Sequence, residues 1–397
     1  MSAREQGKVM DATPSSGGPD PARQRKARAY GKASRLLFFL DLALAFAYLV
    51  AAVALNVGGA LRDLAPPDVS GPIRAALALA VLSVVYDALT LPLRVYADYL
   101  LPMRYGLLTQ SFSGWLLDMA KRAGLMLVLG AVLMAVLYIL MELAPAYWWL
   151  LAALAFVLVS VCMAVLLPLV IVPLFYKQKP LEDRELRTRL ERMAERAKAR
   201  VAGVFTIDVS AKGTVANAAL MGMGGTRRIV LTDTMLQTYT ADEIEAVMTH
   251  EMGHHVLGHI PWGIAAQGVV VLVQLYVAHL VLARLFPAFG YRPDLSGDVA
   301  GLPLLLLVLA VAGALGTPVT SLLSRRFERA ADRFALDLTR APIPFMSAMT
   351  RLTDQNLSES DPPRWLHLLV GSHPTYRERV RMAQAYAPED APRSIGA

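Results

Sequence analysis

The sequence predicts a mainly α, polytopic helical membrane protein of about six spans, with a small α+β subdomain on the cytoplasmic side. Three observations lead to this fold class. Hydrophobic residues make up 55% of the 397 residues, and the mean hydropathy of +0.44 is too high for a soluble chain of this length. Six apolar stretches are each long enough to cross a bilayer. Between the fourth and the fifth of them the chain becomes polar and shows helix-like and strand-like patterns.

The N-terminal half predicts a tail followed by four spans. Residues 1–34 are rich in glycine, proline, serine and charge and contain no apolar run, which is typical of a disordered basic tail. The apolar stretch 36–57 lacks a small-residue cleavage site, so it is interpreted as a retained span and not as a signal peptide. The other five predicted spans are 75–96, 123–143, 147–175, 260–286 and 300–323. They form a four-span region at 35–176 and a two-span hairpin at 260–323.

The distribution of charge predicts the orientation of these spans. The net charge is +7, and eight basic residues precede position 36, next to the first span. Because basic flanks stay on the cytoplasmic side, we expect both termini and the segment 177–259 to be cytoplasmic. The membrane would be the inner membrane of a bacterium or the endoplasmic reticulum of a eukaryote. The charge therefore indicates a lipid bilayer as partner and not nucleic acid, and the single cysteine, Cys162, indicates no disulfide framework.

A soluble subdomain is predicted at 177–259. A charged helix precedes a short strand at 205–209, and a second strand at 228–232 follows a polar, glycine-bearing stretch. Thr240 and Glu243 then form a capping box, which predicts the start of a helix. A strand beside this helix would offer an edge on which an extended peptide could lie.

This predicted helix carries the sequence T-H-E-M-G-H-H-V-L-G-H, which contains four of the chain's seven histidines. His250 and His254 lie one helical turn apart, so their imidazoles can reach a single ion, with Glu251 beside them. Two neutral nitrogen ligands and an adjacent carboxylate form the zinc-hydrolase pattern H-E-x-x-H. The alternative is a polar helix that carries histidines by chance, and the scarcity of histidine elsewhere argues against it.

Two histidines leave a catalytic metal site one protein ligand short. The spacing that would supply a third histidine from the same segment fails, because Gly258 and His259 are out of register. His255 and His259 are instead candidates to support a ligand histidine or to face solvent. A remote carboxylate is therefore required, and the sequence S-R-R-F-E-R-A-A-D offers Glu328 and Asp332, one turn apart. One could bind metal while the other orients a histidine, although alone this segment could equally be a juxtamembrane helix with paired charges.

The sequences H-E-M-G-H-H and S-R-R-F-E-R-A-A-D together resemble the integral-membrane zinc metallopeptidases of the CAAX prenyl protease type I group. A-N-A-A-L-M-G, R-R-I-V-L-T-D-T-M-L and S-H-P-T-Y-R-E-R-V also occur in the order found in that family. The resemblance covers roughly residues 75 to 385. The additional N-terminal span of the eukaryotic members is not found, and residues 1–34 have no recognised counterpart.

The resemblance implies one zinc ion per chain, with His250, His254 and Glu328 as ligands. It implies Glu251 as the general base and Asp332 as the residue that supports a ligand histidine. It also implies a helical cage around a water-filled chamber, with the metal site at the cytoplasmic side.

Further residues are assigned by the same resemblance. Asn217 and Ala218 correspond to the edge that pairs with substrate. His373 and Arg379 correspond to positions that meet the scissile carbonyl or the substrate backbone. The segment 324–386 would thus be a C-terminal catalytic segment, followed by a flexible tail at 387–397.

The expected function is that of a zinc-dependent membrane endopeptidase. It would act on the C-terminus of a peptide or protein, prenylated or not, and the resemblance favours CAAX-type processing. One alternative is a quality-control protease that cleaves unprenylated membrane proteins. Another is a non-catalytic membrane protein with a structural zinc, and Glu251 argues against it because a structural site needs no base.

Overall fold

The protein is built from long helices and one small sheet. The computed structural model describes residues 18–386 apart from 65, 67, 223 and 292–297. Within these described residues, six helical segments are long and apolar enough to cross a membrane: Pro21–Ala54, Gly71–Arg104, Phe112–Leu143, Trp148–Phe175, His259–Ala288 and Val299–Thr339. The six predicted spans are therefore confirmed. The largest differences are at the first and the last of them, which extend well beyond the apolar residues.

The helices of the membrane region are, in chain order, α1 (Pro21–Ala54), α2 (Val57–Leu64), α3 (Gly71–Arg94), α4 (Leu101–Arg104), α5 (Phe112–Leu143), α6 (Trp148–Leu166) and α7 (Val172–Phe175). Two π-helical segments, Val95–Leu100 and Leu167–Ile171, connect α3 to α4 and α6 to α7. Pro102 lies two residues after the first of these segments and Pro168 lies within the second, and the missing proline N–H interrupts the regular α-helical hydrogen bonding.

Helix α1 begins earlier than the sequence pattern predicts. The Asp20 side chain accepts a hydrogen bond from the Ala22 N–H, and Pro21 occupies the first helical position, so both signals of a helix start are present. Gln24 and Ala27 are buried. The predicted disorder is therefore wrong for residues 21–34, whereas residues 1–17 lie outside the described part of the chain.

The two aspartates inside the first two spans, Asp41 and Asp87, have polar partners, which lowers the cost of placing them in a bilayer. The Tyr86 hydroxyl donates to Asp41 Oδ1 at 2.9 Å. Arg94 and Asp87 form a salt bridge of 2.9 Å. The first contact joins α1 to α3, and the second joins two positions of α3 that lie two turns apart.

The extramembrane part contains α8 (Arg184–Arg196), α9 (Asp233–Thr238), α10 (Ala241–Val256), α13 (Pro342–Gln355), α14 (Arg364–Val370) and α15 (Tyr376–Gln384), while α11 (His259–Ala288) and α12 (Leu302–Thr339) form the last two spans. Its sheet has four strands, β1 (Gln178–Pro180), β2 (Val204–Ile207), β3 (Ala218–Met221) and β4 (Arg228–Thr232). The strand order is β1-β2-β4-β3. The two predicted strands correspond to β2 and β4.

Strand β3 is an edge strand of this sheet. It pairs with β4 in antiparallel register, with Ala218 opposite Leu231, while β2 pairs with β4 in parallel register. Leu231 and the neighbouring Ile229 are fully buried against a core that includes Met248 and Met252 of α10. Helix α10 is thus packed beside the edge strand, on one face of the sheet.

Helix α12 carries the last span into the extramembrane part without a break. The predicted boundary between the two-span hairpin and the C-terminal segment, at 323, lies in the interior of this helix. Helix α12 crosses α10 at Gly253, where an added Cβ would lie only 3.2 Å from the Ala331 Cα. This close crossing places the histidine face of α10 against the final turns of α12.

Candidate metal centre

The sequence of α10 positions the two histidines of the H-E-x-x-H motif. The predicted capping box is present, because the Thr240 hydroxyl accepts from the Glu243 N–H and the Glu243 carboxylate accepts from the Thr240 N–H. Arg351 of α13 forms a 2.8 Å salt bridge with Glu243 and ties this helix end to the C-terminal helices. From this start, His250 and His254 fall on the side of α10 that faces α12.

Three side chains converge at this crossing. The Nε2 atoms of His250 and His254 are 3.2 Å apart. Glu328 of α12 places Oε2 at 3.4 Å from His250 Nε2 and Oε1 at 3.5 Å from His254 Nε2. Ligands at zinc distances in a tetrahedral arrangement lie about 3.3 Å from one another. The three groups therefore fit a single divalent ion.

The Glu328 carboxylate supports this interpretation. It lies on α12, and its Oε2 atom is buried with no hydrogen-bond partner among the described residues. A buried carboxylate oxygen without a partner is costly, and a bound cation would satisfy it. The donor set, two imidazoles and one carboxylate, is one that divalent transition metals and zinc prefer.

The Nδ1 atoms of His250 and His254 contact residues that do not belong to the group of three converging side chains. His250 Nδ1 lies 2.9 Å from Asp332 Oδ1, one turn beyond Glu328 on α12. His254 Nδ1 lies 3.1 Å from His259 Nδ1, and the His259 ring is stacked on Phe327 with the centroids 4.5 Å apart. These contacts orient both Nε2 atoms toward Glu328, which is how supporting residues act in metal sites. Asp332 and His259 thus stand where the sequence predicts support for the ligands.

Arg379 of α15 lies behind the site. Its Nε donates to both oxygens of Asp332, at 2.9 and 3.1 Å, and its Nη2 is 3.4 Å from His250 Nδ1. The predicted contact of Arg379 with substrate stays a prediction. In the structure its charge balances the fully buried Asp332 carboxylate.

Glu251 and His373 lie on the open side of the site. Glu251 lines two clefts, each of about 460 Å³, and His250 and His373 line both of them as well. Burial raises the pKa of Glu251 above its usual range. His373 is 63% exposed, and its Nε2 is 3.5 Å from Glu328 Oε1. Both side chains can therefore meet a molecule that enters the clefts.

Asn217 borders both of these clefts, and Ala218 borders one of them. Asn217 immediately precedes β3 and is exposed, and Ala218 is the first residue of the strand. One cleft is lined by residues 217–220, the three converging side chains and His373. The predicted peptide edge and the predicted metal ligands are thus brought together.

Arg325 is a residue of the site region that the sequence analysis did not single out. It is buried on α12, one turn before Glu328. Its guanidinium donates to the carbonyls of His367, Leu368 and Gly371. These carbonyls end α14 and begin the loop that carries His373. Arg325 therefore fixes this loop, a role that only contacts between distant segments reveal.

Comparisons with known proteins agree with this geometry. The profile of Peptidase family M48 matches residues 180–387, and the profile described as CAAX prenyl protease N-terminal, five membrane helices, matches residues 17–177. The described residues contain four candidate spans in the second range. The similarity to these profiles therefore begins at residue 17, whereas the sequence motifs alone indicate a resemblance that begins near residue 75.

Individual relatives cover most of the chain. The chain is 30% identical over 378 residues to the metalloprotease YhfN of Bacillus subtilis, over 94% of this chain and 87% of that protein. It is 32% identical over 298 residues to the CAAX prenyl protease 1 homolog of Arabidopsis thaliana, over 73% of this chain and 69% of that one. The crystal structure of Ste24p from S. mikatae superimposes with a TM-score of 0.81 at 24% identity, over 92% of this chain and 90% of that chain. The last match shows a shared fold.

Metal binding is expected to release a proton. Burial lowers the pKa of His250, but the nearby carboxylates of Asp332 and Glu328 outweigh it and raise the pKa to about 9. Burial and the neighbouring His250 lower the pKa of His254 to about 4. At neutral pH the metal-free site thus holds one proton, on His250, which a metal ion must displace. Apparent affinity should rise about tenfold per pH unit between neutral pH and the His250 pKa.

Titration calorimetry of the metal-free protein with Zn²⁺, in two buffers of different ionisation enthalpy, measures this proton directly. We expect about one proton released per ion at neutral pH. Binding with no proton release, and with an affinity independent of pH, would contradict the assignment.

The Arg325→Lys variant is expected to lose activity while retaining its metal. A single ammonium group cannot reach three carbonyls, so the His373 loop should shift. We expect kcat/KM to fall by about ten- to hundredfold. Arg326→Lys, at the exposed neighbouring position, is the matched control and should be unchanged. Equal activity of the two variants would show that the Arg325 contacts are not needed.

Proposed function

The chain belongs to peptidase family M48, and from this premise we propose that it is a zinc-dependent membrane endopeptidase that processes CAAX-type C-termini. The observation that carries the proposal is the convergence of His250, His254 and Glu328, with Glu251 beside them, in a cleft that borders an open strand edge. Metalloprotease activity and multiple membrane spans follow from the family and the fold. The metal, the residue roles, the substrate and the sidedness are proposed.

Zinc is the proposed metal, with one ion per chain. The site offers two imidazole nitrogens and one carboxylate, whereas Mg²⁺ and Ca²⁺ prefer oxygen ligands. Three protein ligands are typical of catalytic zinc, because one position remains for water or substrate. When bound, zinc supplies Lewis acidity, which polarises the scissile carbonyl and lowers the pKa of water.

The side chains around this site have separate proposed roles in proton transfer, oxyanion binding and orientation of the ligands. Glu251 accepts the proton of the attacking water and returns it to the leaving amine, and its raised pKa suits both steps. His373, across the cleft from Glu251 and near Glu328, donates a hydrogen bond to the oxyanion. Asp332 and His259 hold the ligand histidines in orientation. No covalent intermediate with the protein is needed.

The substrate is proposed from the edge strand and from the named relatives. An extended peptide would lie along β3 at Asn217 and Ala218, with its scissile carbonyl at the ligand group. Several relatives are named CAAX prenyl protease 1, among them proteins of Arabidopsis thaliana and Saccharomyces cerevisiae. This favours C-terminal processing of a prenylated peptide over general peptide turnover.

The metal site is proposed to face the cytoplasm. Its ligands lie on α10, between the fourth and fifth spans, and on the end of α12 after the sixth. Both ends of the described chain therefore fall on the same side as the site. Basic residues, including Arg325, Arg326 and those of the first helix, concentrate on that side, which supports a cytoplasmic position.

The Glu251→Gln variant tests the proposed general base. The amide cannot accept the proton of water, so kcat should fall by about a hundredfold or more, while zinc remains bound. Cleavage of a synthetic peptide and zinc content by metal analysis are the two measurements. Glu245→Gln is the matched control, because this carboxylate lies on the same helix but pairs with Arg189 outside the clefts. Full activity of Glu251→Gln would refute the mechanism.

A pair of peptides tests the proposed substrate class. A farnesylated CAAX-type peptide and its unmodified form are compared with the zinc-loaded protein in detergent micelles. Because the lipid partitions into apolar surroundings near the membrane spans, we expect kcat/KM to favour the farnesylated peptide by roughly tenfold or more. Equal rates with both peptides, abolished by a chelator, would instead support a protease of unprenylated substrates.

A further inference from the structure

Strand β3 has one edge that pairs with no other strand among the described residues. The Thr232 N–H donates to the Asn217 carbonyl at 3.0 Å, so residue 217 faces β4. In an antiparallel pair, successive residues alternate between facing the partner and facing away. Ala218 and Leu220 therefore direct their N–H and C=O groups toward the open edge. These are the backbone groups that a bound peptide could use.

Two of these four groups are already engaged within the protein. The Ala218 N–H donates to the Asn217 side-chain oxygen at 2.9 Å. The Leu220 carbonyl lies 2.6 Å from His255 Nε2. A carbonyl only accepts hydrogen bonds, so His255 Nε2 carries the hydrogen and donates. The Ala218 carbonyl and the Leu220 N–H are the outward groups that have no hydrogen bond in the described part of the chain.

The position of His255 on α10 explains how it reaches the strand. Consecutive helical residues point about 100° apart, so His254 turns toward α12 while His255 turns toward β3. The His255 side chain lines the same cleft as the ligand group. Beyond Leu220 the strand ends at Met221, and Gly222 follows with a φ of 96° that turns the chain. The Leu220 carbonyl is thus the last outward acceptor of the strand.

We propose that His255 is a specificity-determining residue that ends the backbone pairing of a bound peptide at Leu220. With the Leu220 carbonyl occupied and the Ala218 N–H held by Asn217, the edge offers one donor and one acceptor. In antiparallel pairing these two groups reach across three residues of a peptide. The cleft then recognises the backbone of a short segment at the scissile bond and gains nothing from a longer extended chain on that side. This inference rests on the proposed function, because it concerns how the peptide lies on β3.

A peptide series measures where the pairing ends. The full chain, zinc-loaded in detergent micelles, is assayed with quenched synthetic peptides that share one core sequence and grow by one residue at either end. In the wild-type protein, kcat/KM should reach a plateau at the end that points past Leu220. N-methylation of the next amide beyond that plateau removes a donor, and it should leave wild-type kcat/KM unchanged.

The His255→Leu variant should move this limit by one hydrogen bond. The Leu220 carbonyl becomes free to accept from the next peptide amide, so the longer peptide should gain about fivefold in kcat/KM over the core peptide. N-methylation of that amide should abolish the gain. His255→Gln retains a donor at similar reach and should keep the wild-type plateau. Val256→Ala, at the exposed neighbouring position, is the control for changes in α10.

The outcomes separate this inference from the proposed function. If the wild-type protein cleaves no peptide in a zinc-dependent manner, the proposed function fails. If it cleaves the core peptide but loses activity on N-methylation of the amide past the plateau, His255 does not end the pairing. The inference is also overturned if His255→Leu binds zinc, cleaves the core peptide normally and shows the wild-type length profile. The wild-type measurement stands even if the variant does not fold.

Discussion

The site depends on the close crossing of α10 and α12. Gly253 allows it, because any larger side chain would meet the Ala331 backbone. The crossing brings Glu328 to the two histidines although 74 residues and two membrane crossings separate it from His254 in the chain. Because α12 is one continuous helix from its apolar stretch to Thr339, Glu328 and Asp332 are rigidly joined to the last candidate span.

Charge within this crossing alternates in sign. The Arg379 guanidinium binds Asp332, Asp332 binds His250, and His250 faces Glu328. Each buried charge would be costly alone, and each is placed next to its opposite. In the protein alone a proton on His250 completes the series, and a divalent ion would replace that proton with a stronger positive charge. The same residues therefore serve both folding of the metal-free site and its affinity for metal.

Much of this architecture could be predicted from the sequence, because long apolar runs, the capping box at Thr240 and the H-E-x-x-H spacing are local patterns. The helix start at Asp20 and Pro21 is also a local pattern, but the composition of the surrounding stretch is typical of disorder and led to the opposite prediction. Strand β1 has only three residues, too few for a periodic signal. The placements of Arg379 on Asp332 and of Arg325 on the His367 carbonyl join segments more than forty residues apart. No local pattern encodes such contacts.

The two adjacent histidines of H-E-M-G-H-H, His254 and His255, contact two different parts of the site from the same turn of α10. His254 places Nε2 beside Glu328, and His255 places Nε2 on the Leu220 carbonyl. The carboxylate of Glu328 and the end of β3 are thus both in contact with the same turn of α10, which sets the distance between them. A peptide that pairs with β3, as proposed, would have its backbone register set by the same helix that carries the proposed metal ligands.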